Sequence, residues 1–483
     1  MEKIGAMQAR LFIIAITATL CLASTTRVAA SGPAQKMVDR WSQGKALRGL
    51  QVALSVVDAE SGQALASIDE ERIMNPASGT KLLTSAAALH SLALNPSWET
   101  RVHGTLEGDR IRGNLHLIGS GDPKLLLAHL EALAEAVHGH GVRVVEGGLV
   151  LHVGYFDQAS LPPAFDQKTS DAGYRASTGA LASNFGAFRV TVRPHRKRGK
   201  GAKVSVEGGT QSVALVNTAR TVKGNKRNIK VSTRELSDGR TEVKVSGTIG
   251  QKASAHSERK RIHQPDLWTG LVLEGLLKAK GVTLKTPVHL TRAPLPQEAG
   301  PALKTIRTRT LAETLTDINT WSNNFMAEMV LKHMGCQDTL PCSWPLAVKR
   351  VSETLVSLGL KEESFTYVNG SGLYKATMLS AAAMTTLLVR MHGDGVKGSA
   401  FKGSLAVNAQ PGTLKRRLLA KSLRGKVRAK TGTLNEVVSL SGYVPTRKGR
   451  TLAFALFVNG ATPKRTAAIR RKLDQLVSRL TRL

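Results

Sequence analysis

A chain of 483 residues, 42% apolar and 21% charged, holds material for about three domains and falls outside the disordered and fibrous classes. Its 68 basic against 35 acidic residues give a net charge of +33, so the surface attracts polyanions: nucleic acid, anionic lipid headgroups or carboxylate-rich polymers. Charge alone does not choose among them.

The first thirty residues carry Lys3 and Arg10, an apolar run from Leu11 to Ala23, and the small-residue end Val28-Ala29-Ala30. This is the plan of a secretory signal peptide over residues 1–30. The apolar run is shorter than the ~20 residues a spanning helix needs, so cleavage is expected rather than anchoring. Leu20 stands where lipid attachment at Cys21 would require a small residue. Cleavage leaves a net charge of +31, so the basic character belongs to a periplasmic or extracellular protein. Export removes nucleic acid as a partner. The run from Arg193 to Lys200 then reads as a solvated turn, with attraction to an anionic membrane or envelope surface as the functional alternative. Cys336 and Cys342 are the cysteines left after processing, and in an oxidising compartment a small disulfide loop is expected. No second Cys or His group has zinc-ligand spacing, and neither a metal nor a cofactor is expected. His138 and His140 flank Gly139 in an expected loop.

Residues 31–98 open an α/β domain with a helix over 34–48, a strand over Leu50–Val57, a turn at Asp58–Gly62 and a second strand. From 99 to 290 short β-rich runs alternate with Gly and charged turns, which predicts one or two inserted, mostly β domains. Residues 291–483 return to helices, Leu311–Met334, Pro345–Leu358 and Ser380–Met391, then strands Val437–Val444 and Leu452–Val458. The closing segment Lys464–Leu483 spaces Ile469, Leu473, Leu476, Val477 and Leu480 as the core face of a helix, with a membrane-surface helix as the alternative.

Asn75-Pro76-Ala77-Ser78-Gly79-Thr80-Lys81 runs into the apolar stretch from Leu82 to Leu89. Pro76 suits a helix start, which places Ser78 in the first turn and Lys81 one turn later on the same face. A serine becomes nucleophilic when a base takes its proton, and a lysine serves as that base once burial or a neighbouring cation lowers its pKa. Three further Ser-x-x-Lys pairs, Ser42/Lys45, Ser257/Lys260 and Ser399/Lys402, lie in polar or Gly-rich surroundings. The sequence holds one Ser-x-Asn, at Ser322-Asn323-Asn324, either a helix cap or a polar trio aimed into a cleft. It holds one Lys-Thr-Gly, at Lys430-Thr431-Gly432-Thr433, suited to holding a carboxylate. Each motif by itself is more often structural.

Together and in this order they are the motif set of penicillin-binding proteins and serine β-lactamases. Ser78 and Ser322 are 244 residues apart, Ser322 and Lys430 108. The first interval is too long for a compact β-lactamase and places the β-rich block inside a split catalytic domain. The chain resembles the class C low-molecular-mass penicillin-binding proteins, D-alanyl-D-alanine carboxypeptidase/endopeptidases of the penicillin-binding protein 4 type. Gly119-Ser120-Gly121-Asp122-Pro123-Lys124-Leu125, Asn369-Gly370-Ser371-Gly372-Leu373 and Pro411-Gly412-Thr413-Leu414 add to the likeness, with Asn369 where the family has Asp.

The resemblance implies an α/β (α+β) serine DD-peptidase/β-lactamase-like catalytic domain split by the inserted β region. It implies attack by Ser78 on the D-Ala-D-Ala bond of peptidoglycan stem peptides, with Lys81 as base, Ser322 as proton relay and Asn324 holding substrate or orienting Lys81. Lys430, Thr431 and Thr433 would hold the terminal carboxylate, Gly432 would admit the substrate backbone, and Lys430 would help keep Lys81 neutral. The N–H groups of Ser78 and Thr433 would form an oxyanion hole worth ~3 kcal/mol per donor. β-Lactam antibiotics would acylate Ser78 and leave slowly, since no Glu-x-x-Leu-Asn segment follows Ser322. Asp166 or Asp171 would anchor a crosslinked substrate's amino group, with structural loop acids as the favoured reading. The alternatives are a non-catalytic exported cell-wall-binding protein and a β-lactamase-like hydrolase. The absence of Gly-x-Ser-x-Gly removes the nucleophile-elbow version of a Ser-His-Asp hydrolase.

Overall fold

The computed structural model describes residues 32–336 and 340–483, so the expected signal segment lies outside the described residues. Two distant stretches of chain build one antiparallel sheet, in the order Ala406–Val407, Arg428–Leu434, Val437–Pro445, Thr451–Asn459, Gln51–Asp58, Ala64–Ile68. Val437–Pro445 and Thr451–Asn459 read as near-continuous small and apolar runs because helices cover both of their faces. On one face lie Pro33–Ser42 and the closing helix Thr466–Leu480, whose Ile469, Leu473, Leu476, Val477 and Leu480 are all buried, as their spacing predicts. Burial of five aliphatic side chains at ~1.5–3 kcal/mol each anchors this helix by about 10 kcal/mol. On the other face pack Thr80–Ser91, Leu311–Trp321, Asn324–His333, Trp344–Ser357 and Ala381–His392 around a second core.

The expected helix over 34–48 divides at Gly44 into Pro33–Ser42 and a single 3-10 turn at Lys45–Leu47. The expected helix over Leu311–Met334 also breaks, between Trp321 and Asn324. Ser322 takes a left-handed conformation, φ 60°, and the Asn323 side chain accepts from Met326 N–H to start the second helix. Thr413 N–H donates to the Thr320 carbonyl at 3.0 Å and so serves the end of the first helix. A Cβ on Gly412 would stand 2.7 Å from Thr320 Cγ2 and 3.0 Å from its carbonyl oxygen, which accounts for the glycine in Pro411-Gly412-Thr413-Leu414.

Between the two stretches, a seven-stranded sheet and two smaller ones share a separate core. This region is not purely β: Leu127–Gly139 and Pro265–Ala279 are helices that bury Leu130, Leu133 and Val137, and Trp268, Val272, Leu273 and Leu277. Strand pairing also carries the large sheet past residue 290, since Ala302–Thr310 lies antiparallel to Ser97–Glu107. His138 is on the first of these helices rather than in a loop, and His140 follows its end. Cys336 and Cys342 form the expected disulfide, which ties the segment after Asn324–His333 to the start of Trp344–Ser357.

Candidate active site

Ser78 lies in a 3-10 turn, Ala77–Gly79, that leads into the buried helix Thr80–Ser91. The turn is strained, because Ala77 has φ 49°, and such a conformation persists only when neighbours enforce it. They do: Ala77 N–H donates to Asn75 Oδ1 at 2.7 Å, Asn75 and Asn459 exchange two hydrogen bonds of 3.1 Å, and Ser439 Oγ donates to the Pro76 carbonyl at 2.6 Å. Two glycines permit this crowding. A Cβ on Gly372 would meet the Ala77 carbonyl oxygen at 2.0 Å, and one on Gly432 would meet Ser439 Oγ at 2.1 Å and the Pro76 carbonyl oxygen at 2.5 Å.

Lys81 is fully buried, with Nζ 3.1 Å from Ser78 Oγ, 2.8 Å from Asn324 Oδ1 and 2.8 Å from the Ser371 carbonyl oxygen. The Asn324 amide is oriented by its own Nδ2, which donates to the Tyr174 carbonyl at 3.1 Å, so Oδ1 faces the lysine. Two of the three partners are therefore pure acceptors. A neutral amine has two N–H bonds to satisfy them, and its lone pair is left toward the serine hydroxyl. Burial pulls the Lys81 pKa down to about 7, against the opposing charge of Glu328.

Glu328 was not singled out in the sequence, where it is an acid within an apolar helical stretch. Its buried carboxylate accepts from Gly370 N–H at 2.9 Å and Ser371 N–H at 2.8 Å, and burial raises its pKa. It thereby fixes the loop whose Ser371 carbonyl holds Lys81. Asn369 stabilises the same loop without a charge: Oδ1 accepts from Gly372 N–H at 2.9 Å, and Nδ2 donates to the Pro163 and Leu373 carbonyls at 3.2 Å. The amide donates where a carboxylate could not, and the turn is intact.

The left-handed Ser322 and the strand Arg428–Leu434 supply the other side. Lys430 is fully buried, and its Nζ donates to Ser322 Oγ at 2.9 Å and to the Thr431 carbonyl at 2.8 Å. Burial first, then the charge of Lys81, holds its amine well below the usual lysine range. Thr431 is half-buried and Thr433 exposed. Ser78, Lys81 and Asn324 thus form one hydrogen-bonded group and Ser322 and Lys430 another, while Gly432 backs the serine turn.

The other Ser-x-x-Lys pairs lie elsewhere. Ser42 ends the first helix, Ser257 and Lys260 are three apart on a strand, and Ser399 is exposed on the helix Gly395–Ser404. Asp171 pairs with Lys260 at 3.1 Å and accepts from Thr233 N–H at 2.9 Å, a structural loop acid, whereas Asp166 is exposed. In Gly119–Leu125, Asp122 accepts from Lys124 N–H at 2.8 Å and Thr308 Oγ1 at 2.7 Å, and Lys124 pairs with Asp317 at 2.6 Å. The segment fastens the inserted region to the helix before Ser322.

The chain matches the D-Ala-D-Ala carboxypeptidase 3 (S13) family over residues 34–480. It is 31% identical over 437 residues, 88% of this chain and 80% of the relative, to a D-alanyl-D-alanine carboxypeptidase of Actinomadura sp. (strain R39). Its fold is similar to the crystal structure of penicillin binding protein 4 from Haemophilus influenzae, with a TM-score of 0.78 at 19% identity, covering 92% of this chain and 99% of that one. A β-lactam complex of that protein is similar at a TM-score of 0.75 and 20% identity, over the same shares of both chains. With the match spanning both halves of the split sheet and the region between them, the chain belongs to the D-Ala-D-Ala carboxypeptidase 3 (S13) family.

Proposed function

We propose that this chain is a serine-type D-Ala-D-Ala carboxypeptidase working through an acyl-enzyme on Ser78. The observation that carries the reading is the set of partners around Lys81, in which two pure acceptors take the N–H bonds of a neutral amine and leave its lone pair for the Ser78 proton. In this reading Lys81 takes the proton as Ser78 Oγ attacks the carbonyl of the penultimate D-alanine. The oxyanion is held by the N–H groups of Ser78 and Thr433. Ser322, linked to Lys430, passes a proton to the departing D-alanine amine, and water then releases the acyl group. Thr431 and Thr433 receive the substrate carboxylate, and Gly432 keeps the strand close to the serine turn.

The same centre would be acylated by β-lactams. Cleavage of crosslinks, as an endopeptidase, is proposed from the resemblance of the motifs. The catalytic halves are proposed as residues 31–98 and 291–483, around an insert over 99–290 whose sheet also recruits Ala302–Thr310. The site of action is outside the cytoplasm. Backbone hydrogen bonds from Gly199 to Thr221, Gly250 to Lys226 and Lys252 to Gly224 gather Arg196, Arg198, Lys200, Lys223, Lys226 and Lys252 at one end of the insert. That exposed basic end supports attachment to an anionic membrane or envelope surface.

Labelling with fluorescent penicillin and release of D-alanine from an acyl-D-Ala-D-Ala peptide test the function. Wild type is expected to do both and Ser78→Ala neither. An unlabelled, inactive wild type would favour the wall-binding protein. Conversion of crosslinked muropeptide dimers to monomers tests the endopeptidase.

A further inference from the structure

The strand Arg428–Leu434 turns Lys430 and Gly432 against Ser322 and Pro76, and by its two-residue period turns Thr431 and Thr433 the other way, so that Thr433 Oγ1 meets the closing helix. A carboxylate arriving at these hydroxyls needs a cation. Lys430 is poorly suited to that task, since it is fully buried and its amine already serves Ser322 and the Thr431 carbonyl.

A different cation reaches the strand. Arg470, on the closing helix Thr466–Leu480, donates from Nη2 to Thr433 Oγ1 at 2.8 Å, and Thr433 Oγ1 donates in turn to the Gly432 carbonyl at 2.8 Å. Arg470 is exposed. Asp474, one turn along the same helix, is engaged by Arg417, with contacts of 2.7, 3.1 and 3.2 Å. Among the described residues no carboxylate forms an ion pair with Arg470. A guanidinium stays protonated at any working pH, and its planar fork carries five donors. One is on Thr433, and the others are free for the paired oxygens of an acid.

We propose that Arg470 binds the free C-terminal carboxylate of the substrate, beside Thr433, and makes the enzyme select free acids over neutral chain ends. The assignment rests on the peptidase reading above. It separates two tasks along one strand: Lys430 serves the proton path, and Arg470 supplies the fixed charge.

The test compares kcat/KM for an acyl-D-Ala-D-Ala peptide and for its C-terminal carboxamide, using wild type, Arg470→Gln and Arg470→Lys. Loss of a charge-assisted pair predicts that Arg470→Gln loses roughly tenfold to a hundredfold more activity on the acid than on the carboxamide, with its melting temperature kept. Arg470→Lys, which retains the charge, falls between wild type and the glutamine variant in acid preference. A wild type that cleaves the acid, with a glutamine variant that loses both substrates equally or loses neither, overturns the assignment and leaves the peptidase reading standing. A wild type that cleaves neither substrate overturns both.

Discussion

Lowering the pH should switch the enzyme off through one amine. With Lys81 held at a pKa of about 7, roughly nine-tenths of the molecules carry the neutral base at pH 8, half at pH 7 and about one in a hundred at pH 5. An ordinary lysine would supply about three molecules in ten thousand at pH 7, so burial raises the competent fraction more than a thousandfold, equivalent to about 4 kcal/mol. The assay is the second-order rate of Ser78 acylation by fluorescent penicillin between pH 5 and 9, with circular dichroism to confirm the fold at each point. The rate should rise with a midpoint near 7 and fall tenfold per pH unit well below it, because the penicillin carboxylate stays ionised throughout. A flat profile from pH 5 to 8, or a midpoint above 9, would refute the neutral-base arrangement. The shift carries a linked cost. Between pH ~7 and ~10.5 the unfolded chain binds more protons at this residue than the folded one, so its penalty on stability is full below that window and fades as pH rises through it.

Glu328→Gln removes the charge that opposes burial at Lys81, so the acylation midpoint should move to lower pH; an upward or absent shift in folded protein would contradict the coupling. Gly432→Ala drives a Cβ to 2.1 Å from Ser439 Oγ and 2.5 Å from the Pro76 carbonyl oxygen, so acylation should collapse. The overpacking should cost ~1–3 kcal/mol in thermal unfolding, and normal labelling would show that the serine turn yields freely. His333 is buried, and burial lowers its pKa to about 4, below the unfolded value near 6.5. The stability wild type derives from a neutral His333 is present above pH ~6.5 and lost toward pH 4. Urea unfolding should therefore show the margin over His333→Gln shrinking by about 3 kcal/mol across that window, and a constant margin would sink the account.

The residues that converge around Ser78 were visible because they sit in short motifs whose backbone context is local. Pro76 before an apolar run marks a helix start, and a serine and lysine three apart then share a face whatever the rest of the chain does. The break at Ser322 was half legible: apolar spacing continues through Leu311–Met334 and predicts one helix, while Ser322-Asn323-Asn324 reads as either a helix cap or a polar trio aimed into a cleft. Structure makes the trio both a cap and part of the cleft. Glu328 was hidden for another reason: its partners, the N–H groups of Gly370 and Ser371, are more than forty residues away, and no periodicity links a carboxylate to a loop. Arg470 likewise lies among six other basic residues of the closing segment and is set apart only by its reach to Thr433. The two helices within the inserted region carry their own helical signal, LAHLEALAEAVHG and PDLWTGLVLEGLLKA, which a block-wide reading of 99–290 as β-rich passes over.

The strand Gln51–Asp58 bonds on one side to its hairpin partner and on the other to Thr451–Asn459, almost four hundred residues later in synthesis. Until that distant segment emerges, the hairpin has an open edge, and Asn75 lacks the Asn459 amide that steadies the serine turn. Such long-range closure slows folding and leaves a hazard for misassociation. The serine turn is therefore completed only once Thr451–Asn459 has paired, which ties the geometry of the nucleophile to closure of the sheet by its most distant segment.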